Sequence, residues 1–370
     1  MFVITIGYGR QMFDSENPER KRMELCAEAV TELHTIVFTL KSDNYQVTDA
    51  TNGFKIYPTN SANKFTMIFD AHKIAVKIIT DNSQRFIVTT QDAFEAGLVG
   101  YFLKKRFRIH LTVQEHADVF FHRYWKSETL LNTMRYGIGL FILRRADTVR
   151  TVSRRITQKM QKLNLKANLT ELPVAIDPEA FYTESAPNKS SETFTFLTMA
   201  RFVKQKNLTL LLNAFYKVWQ VCPQARLIIV GRGPEAMKLD FIVKDQYREN
   251  SPVKFIEWTD SPAELMSSAD AYVLSSNYEG WGRVLIEAML MKLPTVTTDV
   301  GCVGEVFIDD THGLVVSVND ETALAKAMTE IAVDKEKYQR LLTNLNQLDI
   351  GSIKGISIEN YGQKWAQSLT

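Results

Sequence analysis

Glu279 and Glu287, with seven residues between them and Gly280 and Gly282 beside the first, are the side chains best placed for chemistry in this chain. The apolar, β-branched run from Ala271 to Leu274 predicts a strand leading into them. The apolar spacing from Val284 to Met291, filled with strong helix formers, predicts a helix. Glu279 then lies in the loop before the helix and Glu287 inside it. Gly280 and Gly282 permit positive φ and close backbone approach, so the loop can wrap a ligand at the helix N-terminus, where free N–H groups and the dipole favour an anion. A neutral sugar joined to a phosphate meets both demands, with Glu279 accepting from hydroxyls while the helix end faces the negative charge. The same residues also describe a glycine turn before an amphipathic helix with two solvated carboxylates, and spacing alone does not separate the two.

Three other loops carry candidate chemistry. The predicted strand Phe194–Met199 runs into Ala200-Arg201-Phe202-Val203-Lys204-Gln205-Lys206-Asn207, where Arg201 and Lys206 flank a turn before the predicted helix Leu208–Val221 and can converge on an anion at its N-terminus. Phe86–Thr90 reads as a strand ending in Gln91-Asp92, and Ile109–Gln114 as the next, ending in Glu115-His116-Ala117-Asp118. In a parallel sheet this clusters Asp92, His116 and Asp118 at the carboxyl ends of neighbouring strands, where a histidine between carboxylates is a candidate for acid–base or orienting work. The first strand, residues 2–6, opens into Gly7-Tyr8-Gly9-Arg10 at the same edge. Without a third glycine this is not the fingerprint of a nicotinamide-dependent oxidoreductase.

These loops need a scaffold of alternating strands and helices. Helices are predicted over 18–33, 66–79, from Phe94 to Arg108 and over 128–145, with strands at 35–40, 54–57 and 146–153. A polar stretch at 183–193, containing Pro and Ser, marks a domain boundary. Beyond it a second alternating unit adds strands at 226–230 and 255–259 and helices at 321–333, 335–346 and 356–369. The expected fold is α/β, two doubly wound Rossmann-like domains, residues 1–180 and 190–355.

The chain of 370 residues and 42.3 kDa is long enough for two full cores. No apolar run approaches a membrane span and the first residues read as a strand, so neither a transmembrane helix nor a signal peptide is expected. Cys26, Cys222 and Cys302 are too few and too scattered for a disulfide framework or a zinc site, which suits a reducing cytoplasm. Residues 1–175 hold 25 Lys and Arg against 17 Asp and Glu, whereas the rest of the chain holds 19 against 25. The basic half therefore favours something anionic. The run from Leu98 to Arg108, an apolar body with a basic end, could rest on an anionic membrane surface, or could be a sheet-packed helix whose C-terminus is capped by cations.

The stretch from Glu279 to Glu287 resembles the E-x7-E signature of the retaining glycosyltransferases of family 4, also called glycosyltransferase group 1, and Pro294 to Gly301 continues that pattern. The resemblance implies the GT-B fold, with its two domains facing across a cleft and the last helix packing back on the N-terminal domain. It implies transfer of a hexose-type sugar from a nucleoside-diphosphate sugar, UDP- or GDP-linked, to an acceptor hydroxyl on a glycan or lipid-linked glycan, with retention of configuration, no metal and no nucleic-acid partner.

By resemblance, Arg201 and Lys206 would hold the diphosphate, as in a G-R-x-x-x-x-K pattern from which Ala200 departs. Gly231 would admit the nucleotide, and Trp258 would sit at its base. Glu279 would fix sugar hydroxyls, Glu287 would bind the ribose, and His116 would lie over the reacting sugar. Gly7, Gly280, Trp281, Gly282, Arg283 and Val284 fall on the donor side; Gly9, Arg10, Asp92 and Asp118 fall on the acceptor side. Val174 and Ala175 replace the family's Asn-Gly pair. The composition leads to the expectation of a cytoplasmic protein, peripheral on the inner face of the membrane if the acceptor is a lipid that suits the basic N-terminal half. A non-catalytic nucleotide-sugar or glycan-binding protein on the same fold is the competing reading.

Overall fold

The computed structural model describes residues 1–51, 53–181, 192–247, 251–353 and 360–370. The chain forms two compact units, Met1–Ala175 with Ser357–Thr370, and Ile176–Ile356. The polar stretch at 183–193 falls almost wholly outside the described residues.

In the first unit, eight strands are laid down as β1 (Phe2–Gly7), β2 (Glu32–Val37), β3 (Thr48–Thr51), β4 (Phe54–Pro58), β5 (Phe86–Thr90), β6 (His110–Glu115), β7 (Thr148–Thr151) and β8 (Asn168–Glu171). Their spatial order is β3-β4-β2-β1-β5-β6-β7-β8, and every pairing is parallel except β3 with β4. The chain builds outward from β1 to one side, then returns to place β5 on the other. The switch point lies between β1 and β5, so the loops after these strands open at their carboxyl ends, where ligands bind in such sheets.

The second unit repeats this logic with β9 (Phe194–Met199), β10 (Ala225–Val230), β11 (Val253–Ile256), β12 (Ala271–Leu274), β13 (Thr295–Thr298) and β14 (Gly313–Val316), in the order β11-β10-β9-β12-β13-β14. Here the switch point lies between β9 and β12. Strands such as β9 and β12 are near-continuous apolar runs because helices cover both faces of a parallel sheet. The core of this unit joins Phe196, Leu211, Phe215, Leu227 and Val273.

Several boundaries differ from the sequence expectation for local reasons. The helix expected over 18–33 ends at Glu28, and β2 begins at Glu32, because Thr31 N–H already pairs with the Met1 carbonyl beside β1. The helix expected over 128–145 runs Leu130–Leu143, starting where extended Thr129 caps Asn132 N–H, and a separate helix Arg123–Glu128, not expected from the sequence, precedes it. Ser153 does not end a strand but caps the helix Arg154–Gln161. β11 stops at Ile256, so Glu257, Trp258 and Thr259 lie in the following loop.

The last helix, Tyr361–Gln367, packs within the first unit. Tyr361, Trp365 and Leu369 are buried against Val3, Leu33 and Phe54. The Leu369 carbonyl accepts from Thr112 Oγ1 at 2.5 Å. A side chain on Gly362 would meet the Leu25 carbonyl at 2.0 Å, so only glycine allows this approach. Trp365 is 2% exposed. Trp365→Ala is expected to destabilise the first unit by about 3–5 kcal/mol through lost burial and a residual cavity, measured by urea denaturation.

Candidate functional site

The second unit brings its candidate residues together at the switch point. The loop after β9 carries Arg201 and Lys206, and the loop after β12 carries Glu279. Glu279 Oε1 accepts from Lys206 Nζ at 2.5 Å and from Ser276 Oγ at 2.6 Å. The two loops are laced further. Asn277 N–H donates to the Gln205 carbonyl at 2.8 Å, Gln205 Nε2 donates to the Tyr278 carbonyl at 2.9 Å, and Ser275 Oγ donates to the Lys206 carbonyl at 2.9 Å. Lys206 and Glu279 side chains are 17% and 10% exposed, so their attraction is little screened and the pair fixes both loops in one arrangement. Arg201, by contrast, is exposed, and its guanidinium makes no hydrogen bond or ion pair among the described residues.

Two helix N-termini open at the same edge. Leu208–Val221 and Arg283–Leu290 each start after a residue in left-handed conformation, Asn207 at φ 47° and Gly282 at φ 75°, and neither has a side-chain cap. Their first N–H groups remain available to an anion. Glu287 lies in the first turns of the second helix and is nearly enclosed. Burial pushes its carboxyl above the usual carboxylate range, against the opposing pull of Arg283, which sits 3.4 Å away, and of Lys206. Val284 is half-buried in the first turn of that helix.

Other expected donor residues have structural occupations. A side chain on Gly231, at φ 142°, would meet the Ala200 carbonyl at 1.9 Å. Its lack of Cβ therefore lets the loops after β9 and β10 touch each other, a packing role beside the one expected of it at the nucleotide. Trp281 is 3% exposed, its backbone carbonyl accepts from Cys302 N–H at 2.9 Å, and its buried Nε1 has no hydrogen-bond partner among the described residues. Trp258 is 69% exposed and donates from Nε1 to Asp260 at 2.9 Å. Gly280 is buried within the same loop.

In the first unit, Gly7, Gly9 and Arg10 follow β1 and Asp92 follows β5, flanking the switch point. A Cβ on Gly7 would strike Gln91 Oε1 at 2.0 Å, and Arg10 pairs with Asp43 at 3.1 Å. Asp92 Oδ1 accepts from Phe94 N–H at 2.7 Å and Ala96 N–H at 3.2 Å, so it caps the start of the helix Glu95–Phe107. Burial nevertheless pushes its carboxyl up to about 6. Asp118, at φ 45° and 2% exposed, accepts from Lys159 at 2.5 Å and lies 3.2 Å from His122 Nε2.

The partner of His116 is Gln114, its Nε2 lying 2.8 Å from Gln114 Oε1, and not the flanking carboxylates. Burial, then Arg150 and Arg22, lower the ring to about 3, so it is neutral at physiological pH. Glu115, 4% exposed, is pushed up to about 8 by burial and by the neighbouring charges of Asp118 and Asp92. Sequence reasoning missed Ser276, Gln114 and Arg150. Gln114 could have been found, since it stands two residues before His116 and so shares its face of an extended strand. Arg150, a lone cation inside the buried strand β7, was counted only as part of a basic cluster.

Residues 183–347 match the family described as glycosyl transferases group 1. The chain carries a group 1 glycosyl transferase domain. Among relatives of this domain, N-acetyl-alpha-D-glucosaminyl L-malate synthase of Bacillus anthracis is 28% identical over 58% of this chain and 56% of its own length. The chain thus spans just over half of that relative. Among solved structures, sucrose-phosphate synthase from Thermosynechococcus elongatus aligns over 99% of this chain and 98% of its own with a TM-score of 0.81 at 19% identity. Anabaena HepE in complex with UDP and glucose aligns over 100% and 99% with a TM-score of 0.75 at 17% identity. The group 1 domain and the unit before it therefore share the fold of the GT-B glycosyltransferases.

Two predictions follow from these environments. Gly231→Ala is expected to destabilise the group 1 domain by about 1–3 kcal/mol, because φ 142° and the Ala200 carbonyl both oppose a Cβ; calorimetric melting checks it. In the first unit Glu115 ionises near 4.3 when unfolded but only at about 8 when folded, so the unfolded chain binds fewer protons between those values. Stability should therefore fall as pH rises through that window. Glu115→Gln should flatten the slope in urea titrations while leaving stability near pH 4 little changed.

Proposed function

We propose that the chain transfers a hexose-type sugar from a nucleoside-diphosphate sugar, UDP- or GDP-linked, to an acceptor hydroxyl of a glycan or lipid-linked glycan, with retention of anomeric configuration and without a metal. The observation that carries this reading is that Lys206 and two uncapped helix N-termini lie at one switch point, with Arg201 in the same loop as Lys206. As the bond between the anomeric carbon and the phosphate oxygen breaks, negative charge grows on the leaving diphosphate. Fixed cations and backbone dipoles stabilise it there without reorganising. That supply of positive charge is what a metal ion would otherwise provide.

Within this reading Arg201, exposed and unpaired among the described residues, meets the diphosphate directly. Lys206 serves both the diphosphate and Glu279, which accepts from donor-sugar hydroxyls. Glu287 accepts from the ribose, where a raised carboxyl held by Arg283 still offers an oxygen. His116, neutral, accepts from a hydroxyl of the reacting sugar, and Gly9, Arg10, Asp92 and Asp118 lie on the acceptor side. Glu279 is engaged by Lys206 and Ser276 and Glu287 by Arg283, and in this reading neither of these two carboxylates serves as a covalent nucleophile. The acceptor then attacks the face from which the diphosphate leaves, and a departing phosphate oxygen takes its proton.

The N-terminal unit has a surface suited to an anionic membrane. A cavity of about 570 Å³ is lined by Arg85, Tyr101, Lys104, Lys105, Arg108 and Arg145 among others. Lys104 is tied to Asp147 and the Arg145 carbonyl at 2.7 Å each, as a helix-capping lysine would be. Arg85 and Arg145 reach the cavity from other elements, and Phe102 stands 48% exposed nearby on the same helix as Lys104. Among the described residues no helix is long and apolar enough to cross a membrane. In this reading the basic surface holds the chain peripherally at the cytoplasmic face.

Three measurements test these statements. Melting of the wild type against UDP, GDP and ADP should rise with one of them, and the rise should vanish in Lys206→Ala measured against its own ligand-free baseline; no rise with any nucleotide overturns the donor site. The product linkage should keep the donor's anomeric configuration, and an inverted product removes the front-face route. The chain should sediment with vesicles containing anionic lipid at low salt but not at high salt, and the double variant Lys105→Glu, Arg108→Glu should stay in the supernatant.

A further inference from the structure

Beneath His116 lies a polar network that neither the family match nor the helix and strand geometry requires. Gln114 and Arg150 are 4% and 3% exposed and stand opposite each other in the parallel register of β6 and β7. Arg150 Nη2 donates to Gln114 Oε1, and Gln114 Nε2 donates to Thr89 Oγ1 at 2.7 Å. A guanidinium has only donors, so the amide atom facing it must be the oxygen. This settles the amide's orientation by chemistry. His116 Nε2 lies 2.8 Å from that same oxygen and must therefore donate to it. The ring then carries its proton on Nε2, and Nδ1, which has no hydrogen bond among the described residues, holds a lone pair.

Arg150 is costly where it sits. It has no carboxylate partner among the described residues, and burying an unpaired guanidinium opposes folding. Its position explains the expense, because its field and that of Arg22 act on His116 in the direction of the neutral ring. We infer that Gln114 and Arg150 are positioning residues that lock His116 as the neutral Nε2–H tautomer, presenting Nδ1 as a permanent hydrogen-bond acceptor. This rests on the proposed function only for the identity of the donor that Nδ1 meets, a hydroxyl of the reacting sugar. A ring so fixed accepts from a hydroxyl but cannot protonate a leaving group, which makes His116 an orienting residue and not a general acid.

The test is nitrogen-15 NMR of the histidine ring in the full chain, with the His116 signals identified by their loss in His116→Ala. The wild type should show the proton on Nε2 and a bare Nδ1, unchanged from about pH 8 to about pH 5. Gln114→Leu removes the acceptor and should give a mixture of tautomers. Gln114→Glu keeps an acceptor for both partners and should keep the Nε2–H form. Its carboxylate also offsets Arg150, in a setting that includes Arg22, Glu115 and Asp118, so the ring should begin to titrate within that range. A wild-type ring protonated on Nδ1 overturns the inference, as does a Gln114→Glu ring that becomes Nδ1-protonated or still fails to titrate. The reading of function fails separately: if His116→Ala transfers sugar at the wild-type rate, His116 does not touch the sugar, whatever its tautomer.

Discussion

The pairing of Lys206 with Glu279 is the contact on which the second unit's site depends. The two residues are 73 positions apart and come from loops after different strands, yet they meet at 2.5 Å because β9 and β12 are neighbours at the switch point. A largely enclosed ion pair holds both loops, and the hydrogen bonds that Asn277 N–H, Gln205 Nε2 and Ser275 Oγ donate to backbone carbonyls keep them there. Removing either charge would strand the other in a poorly solvated place, which is why such pairs act as registers more than as sources of stability. The uncapped helix ends and Arg201 then face a loop surface that is already in place before any ligand arrives.

The first unit uses a different device. Its carboxyl edge is crowded with acids kept partly neutral by burial: Asp92 pushed up to about 6 and Glu115 to about 8. Beside them the neutral His116 and the buried Arg150 share a single glutamine oxygen. Charge here is suppressed and hydrogen-bond direction is fixed, whereas in the group 1 domain charge is displayed. Fixed, neutral hydrogen-bond groups favour neutral hydroxyls and displayed cations favour anions, which agrees with the proposed division of labour between the two units.

Several residues that look like ligand contacts in a linear reading are part of the frame. Gly231 is glycine because the Ala200 carbonyl passes close to it. Trp281 is a core residue whose backbone is clamped to Cys302, with Gly301 leaving room for the Trp281 carbonyl. Such residues hold the loops of the site in place. The packing matters for mutagenesis, because changing these residues alters stability as well as the site.

By itself the sequence determined the alternation of strands and helices, the existence of two parallel units, and the placement of Glu279, Lys206, Arg201 and His116 in loops at strand ends. Those features are local: apolar runs, helical periodicity and turn residues act over a few positions. Boundaries slipped where capping decided them, as at Thr129 and Ser153, because a single side-chain hydrogen bond outweighs the propensity of a whole turn. Only the tertiary structure decided which loops adjoin, that Lys206 meets Glu279, that Gln114 and not a carboxylate holds His116, and which glycines serve packing. These depend on strand order and on burial. Both are set by how distant segments pack together, which no short stretch of the chain encodes.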